Sequence, residues 1–207
     1  MSTTLHAVLG HRLSPADIPA LPRALRADAA PELAGAVRAL DAALSARPAE
    51  EYEDQGWHLS TRRGGRAGVI DPEAVWAAGE AILAKHPAGG VFVWIGHRSC
   101  IFGCGLVWSA FIESPHLQAL VHDTCAALAP ILGSPASIYL PSDYAVSSAT
   151  NLVYEGGGLA EVAAWLREHH GPPVPSLGAL GPPTDGRAWE GNDYFIDTFA
   201  PPEDRAP

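Results

Sequence analysis

The sequence predicts an α+β fold: a single domain over 1–207, with a mixed or mostly antiparallel central sheet and helices packed against it. Three observations carry this. Two apolar, β-like runs at 91–96 and 101–112 are separated by the polar group His97-Arg98-Ser99-Cys100. An amphipathic segment follows from Ser114-Pro115, with Leu117, Leu120, Val121, Leu128 and Ile131 at helical spacing. A third apolar run at 136–140 then reads as a strand. Residues 91–141 are the expected core, 1–48 a helical N-terminal part, and 174–207 a Pro/Gly-rich tail that packs back.

Taken in order, residues 4–9 predict a short strand. Ser14-Pro15 suggests a helix start, but Pro19 and Pro22 limit it to a turn followed by a break. From Pro31, the apolar residues Leu33, Val37, Leu40 and Leu44 recur every three or four positions, which predicts a helix that Pro48 stops. Trp57-His58-Leu59-Ser60 reads as a strand. Gly64-Gly65 marks a turn, and 67–70 is the expected return strand of a hairpin.

Asp71-Pro72-Glu73 combines a capping carboxylate, a first-turn proline and an acid near the positive helix end. It predicts a helix whose buried side carries Val75, Trp76, Ile82 and Leu83, ended by His86-Pro87 and Gly89-Gly90. The unbroken apolar run 91–96 suits a strand buried on both faces. Gly103 and Gly105 interrupt the next run, as glycines do at bulges or close backbone approaches. Gly133 closes the long helix. Residues 141–149 read as a loop and 150–154 as a short strand. Gly156-Gly157-Gly158 precedes a last helix at 159–170, and Gly171-Pro172-Pro173 stops it. Trp189, Tyr194, Phe195, Ile196 and Phe199 are too aromatic for a disordered tail, so 188–199 is expected to pack on the body as an edge strand.

Composition narrows the function classes. A chain of 207 residues with 47% apolar and 17% charged residues builds an ordinary core. A net charge of −10 argues against a sequence-independent nucleic-acid binder and favours a basic partner, although solubility alone also explains it. Three cysteines cannot all pair within one chain, so reduced thiols and a cytoplasmic location are expected. Neither a secretory leader nor a membrane span is expected.

Five groups of residues invite chemistry. His97 with Cys100, and His122 with Cys125, both read H-x-x-C and would make four zinc ligands, though paired C-x-x-C knuckles are missing and Cys125 falls near an apolar stripe. Cys104 in FGCGL suggests a nucleophile turn, but Phe102 stands where an elbow needs glycine, and apolar neighbours point to burial. Ser142-Asp143-Tyr144 follows a strand end, where a simple turn is the commoner use. Residues 156–158 match neither a phosphate loop nor a dinucleotide fingerprint, so no cofactor is expected. His169-His170 suit the negative end of a helix.

The stretches GSPASIYLPSD (133–143), EVAAWLREHHGPP (161–173) and WEGNDYFID (189–197) resemble small stand-alone immunity proteins of bacterial polymorphic toxins. The likeness covers about a third of the chain and transfers no functional residue. It implies a non-enzymatic protein that binds and blocks a cognate toxin. The expected partner-facing residues are Glu50, Glu51, Glu53 and Asp54, and in the tail Trp189, Glu190, Asp193 and Tyr194. The alternatives are a hydrolase or transferase using Cys104 or zinc, and a structural protein that self-associates.

Overall fold

The strand nearest the N-terminus is an interior strand of the sheet. In this computed structural model, which describes residues 3–45, 56–61, 70–86, 90–142, 147–181 and 193–199, β1 (Leu5–Gly10) pairs on one side with β5 (Ser99–Gly103) and on the other with β6 (Ala136–Pro141). Beyond β5 lie β4 (Phe92–Ile95), β3 (Ile82–Lys85) and β2 (His58–Thr61). Beyond β6 lies β7 (Phe195–Thr198). All the pairings among these seven strands are antiparallel, which confirms the α+β expectation.

Helices cover both faces. The first face packs on α2 (Pro31–Ser45), α4 (Trp108–Glu113) and α5 (Pro115–Leu132) through Leu5, Ala7 and Leu9 of β1, Cys100 and Phe102 of β5, and Tyr139 of β6. An aromatic column crosses this layer. The Trp108, Phe111, Tyr139 and Phe195 rings follow one another with centroids 5.4, 6.1 and 6.1 Å apart. The second face packs on α6 (Ser147–Tyr154) and α7 (Leu159–His170) through Val8, Ile101, Ile138 and Leu140. β1 therefore alternates between two cores, and each large apolar side chain buried there contributes roughly 1.5–3 kcal/mol. Among the described residues, no helix is long and apolar enough to cross a membrane.

Local chemistry explains most element ends. Leu21–Ala24 forms α1, a single turn following the 3-10 turn Ile18–Ala20, as the two prolines require. Asp71 caps α3 (Pro72–Ala77) by accepting from the Glu73 and Ala74 amides. Ser114 caps α5 through the Leu117 amide, and Gly133 ends that helix in the left-handed region at φ 71°.

Three expectations need correction. The helix predicted from Asp71 through Leu83 stops at Ala77, because Gly79 (φ 68°) turns the chain and Ile82–Lys85 becomes β3. Ile82, Leu83 and Ala84 are buried on both faces, so the segment has no solvent side for a helix to present. The apolar run 101–112 is two elements: the strand ends at Gly103, Gly105 (φ 68°) turns the chain, and α4 begins. Residues 150–154 are helical, since Ala149 and Val153 are buried one turn apart in α6. β2 pairs with β3; the predicted hairpin partner at 67–69 lies outside the described residues.

The described part of the tail makes backbone contacts within itself and with the sheet. Val174 bridges to Phe195 in parallel, and its amide donates to the Tyr194 carbonyl.

Gly96 is where the β4–β5 turn meets α6. A Cβ there would stand 2.6 Å from the Val153 carbonyl oxygen and 3.1 Å from that of Ser99. Gly96→Ala is expected to lower stability by about 1–3 kcal/mol through this backbone clash, read as a reduced urea midpoint with an unchanged slope.

Candidate functional site

The three cysteines enter one core. Cys100 lies on β5 facing the α2/α5 layer, Cys104 follows that strand, and Cys125 comes from the buried side of α5. All three are free thiols. Burial pushes the Cys100 thiol up to about 12 and the Cys104 thiol up to about 11, and raises Cys125 further. A nucleophilic cysteine requires the opposite, a stabilised thiolate in an open electropositive site. Cys104 is 3% exposed, beneath a shallow hollow of about 400 Å³ lined by Leu44, Ser45, Leu106, Val107 and Ala110. The candidate nucleophile is thus a packed, protonated side chain.

The two H-x-x-C units do not converge as a ligand set. His97 sits exposed in the β4–β5 turn, its ring stacked on Trp76 at 5.3 Å, while Cys100 points into the core. His122 is 41% exposed on α5 and Cys125 is fully buried. Among the described residues, no group of three or more His, Cys, Asp or Glu side chains is placed to hold a metal ion.

Of the predicted partner-facing residues, Asp193 is exposed. Tyr194 is not a contact residue: it is 1% exposed and donates its hydroxyl to the Gly171 carbonyl at 2.8 Å, pinning the tail to the end of α7. Its aromatic bulk belongs to the second core. Glu50, Glu51, Glu53, Asp54, Trp189 and Glu190 lie outside the described residues. Ser142 ties the end of β6 to the chain start, accepting from the Thr4 amide at 3.0 Å. His169 stacks on Trp165 at 4.1 Å near the end of α7.

The structure brings together two groups that sequence reasoning did not assemble. One is aromatic. On the second face of the sheet, beyond the strands that α7 covers, Trp94 of β4 makes edge-to-face contacts with Phe92 (6.3 Å) and Tyr154 (5.3 Å). All three rings are half-buried. Phe92 lies directly over Gly103 on the neighbouring strand, where a Cβ would meet the ring at 2.4 Å. The missing side chain at 103 leaves room for the tip of that ring. The alternation of Phe92 and Trp94 within 91–96 was the available sequence signal.

The other is polar and joins α5 to β7: His122 stands between Asp123 and Asp197, at 3.1 Å from each. Apart from these two groups, a set of internal polar contacts joins the β4–β5 turn to the loop before α7. Arg98 donates to the Gly156 carbonyl (2.8 Å) and to the Glu161 carboxylate (2.6 Å), and Ser99 donates to the Gly157 carbonyl. The Gly158 amide and Arg98 together hold the Glu161 carboxyl below its usual range. Every partner in this cluster is internal to the fold, and it fastens the 156–158 loop to the β4–β5 turn.

Comparison with family models, curated proteins and solved structures finds no match to this chain.

Two outcomes follow. Under native conditions at pH 8, a thiol reagent such as Ellman's is expected to label none of Cys100, Cys104 and Cys125 on the timescale in which the urea-unfolded chain releases three equivalents. The second concerns His6, which burial on the α6/α7 face holds neutral, its pKa lowered to about 4 from the usual 6.5. The unfolded chain binds that proton first, so the stability is complete above about pH 6.5 and is lost as pH falls toward 4. Chemical denaturation at the two ends of this window should differ by about 3 kcal/mol from this group, and His6→Leu should remove that share.

Proposed function

We propose that this chain is a non-enzymatic protein-binding protein, in its most specific form an immunity protein that binds and neutralises a cognate toxin. The observation that carries the reading is the half-buried set Phe92, Trp94 and Tyr154 on the sheet face. Aromatic side chains supply large contact area, and clustered Trp and Tyr are the residues that most often dominate interface energetics. Here the rings already brace one another, and the Gly103 gap leaves room for the tip of Phe92. Little side-chain entropy is left to lose on docking.

The charge of the chain selects the partner. A net −10 steers a basic protein toward this surface and speeds encounter at low salt. The burial and protonation of Cys104 weigh against the cysteine-dependent hydrolase or transferase, because no thiolate is presented to a substrate. Self-association of the chain through its aromatics is the competing binding mode, and it separates from the toxin reading by concentration dependence.

The test is calorimetric titration of the purified chain with the basic toxin-like protein encoded beside its gene. The expected result is a stoichiometric complex that weakens with salt. Trp94→Ala should weaken it by about 2 kcal/mol, roughly thirtyfold in Kd, with an unchanged far-UV circular dichroism spectrum. Absence of a complex with the unaltered chain overturns the proposal, and so does equal binding by the Trp94→Ala variant.

A further inference from the structure

Two arginines border one hollow beside α1. Pro19 and Pro22 fix the backbone of α1 and of the 3-10 turn before it, and Ile18, Leu21 and Leu25 anchor that stretch in the core. The Arg26 amide donates to the Arg23 carbonyl at 3.3 Å, and the Ala29 and Ala30 amides donate to the Arg26 carbonyl. Residues three apart on such a turn lie on one side of it. Arg23 and Arg26 are both exposed, and both line a hollow of about 750 Å³. Its apolar wall includes Pro19, Pro22 and Trp57. Trp57 is 8% exposed and is braced by an edge contact with the His86 ring at 5.3 Å. The volume falls within the range of roughly 300–1,000 Å³ that small-ligand sites occupy.

The third charge in the hollow is Asp28, whose Oδ1 lies 3.2 Å from Arg26 Nε. The two side chains of this pair are 61% and 73% exposed, so water screens it and little free energy holds it shut. The Arg23 guanidinium has no hydrogen-bond or ion-pair partner among the described residues. Two guanidiniums against one carboxylate leave an excess of positive charge here, in a chain whose net charge is −10. A guanidinium presents a planar fork of N–H donors that matches the oxygens of a carboxylate or a phosphate. The rigid apolar wall excludes water from one flank of a ligand, which strengthens those hydrogen bonds.

We propose that this hollow binds a small organic acid. The acid's oxyanion, a carboxylate or a phosphate ester, lies between Arg23 and Arg26, and its flat apolar body rests on Pro19, Pro22 and Trp57. Asp28 competes with the ligand for Arg26. The site belongs to the first-face layer, with Leu21, Leu25 and Trp57, and so lies apart from the Trp94 and Tyr154 rings of the second face.

The test is an NMR titration of the isotope-labelled full chain with naphthoate, naphthyl phosphate and neutral naphthylmethanol. Saturable shifts are expected with the acids at the Trp57 indole and at Arg23 and Arg26. The Kd should be on the order of 1 mM, the scale that a ligand of about a dozen non-hydrogen atoms reaches. The tighter of the two acids identifies the preferred head group, and the alcohol should bind at least roughly tenfold more weakly than either. Arg23→Gln should raise the Kd roughly tenfold. Asp28→Asn should lower it about threefold, because it frees Arg26 and removes a like charge. Both substituted side chains are exposed, so the amide spectrum outside the hollow should stay as it is. Failure of both acids to saturate these resonances overturns the proposal. Equal binding of the alcohol, or an unchanged Kd in Arg23→Gln, also overturns it.

Discussion

The double pairing of β1 is the constraint on which the rest of the structure depends. Leu5–Gly10 exchanges hydrogen bonds with β5 on one edge and β6 on the other, and its side chains enter both cores. β1 pairs with strands that begin about ninety and about one hundred and thirty residues later. Such distant closures carry a loop-entropy cost that only extensive burial offsets. Two helical layers provide it. α5 lies on β1 and β6 from one side, while α6 lies on β5 and α7 on β1 from the other.

That arrangement decides where polar chemistry can survive. The layer under α5 is tight enough to hold three protonated thiols and an aromatic column from Trp108 to Phe195. Polar side chains with partners gather instead at the margins. The Arg98–Glu161 pair closes the end where the β4–β5 turn meets the 156–158 loop, and His122–Asp197 closes the β7 edge. Exposed pairs such as the first add little stability, roughly 0–1 kcal/mol. Their value here is positional, because each joins segments distant in sequence. The second sheet face is fully roofed over its centre and half-open over β4, which places the aromatic surface beside the rigid centre of the fold.

The chain itself determined the local elements that carry strong chemical punctuation. Pro31 and Ser114-Pro115 mark true helix starts, Gly133 and Gly171 true helix ends, and the strand at 136–140 is recovered within one residue. The fold class also follows from the sequence, since apolar runs with period-two neighbours next to a long amphipathic helix admit few packings. Burial of Cys104 was foreshadowed by its apolar neighbours.

Tertiary structure alone decided which apolar residues form strand or helix when the run is short, and which polar side chains meet. Ile82-Leu83 fits a helical stripe from Val75, and only sandwiching between β2 and β4 makes it a strand. Residues 150–154 have β-favouring Val and Tyr, yet packing of Ala149 and Val153 on the sheet makes them helical. His122 and Asp197 are seventy-five positions apart, and Phe92 reaches Gly103 across a strand pair. Periodicity describes a segment's own faces. It carries no information about which distant segment will cover them, because that choice is made by the total area buried when all the layers close together.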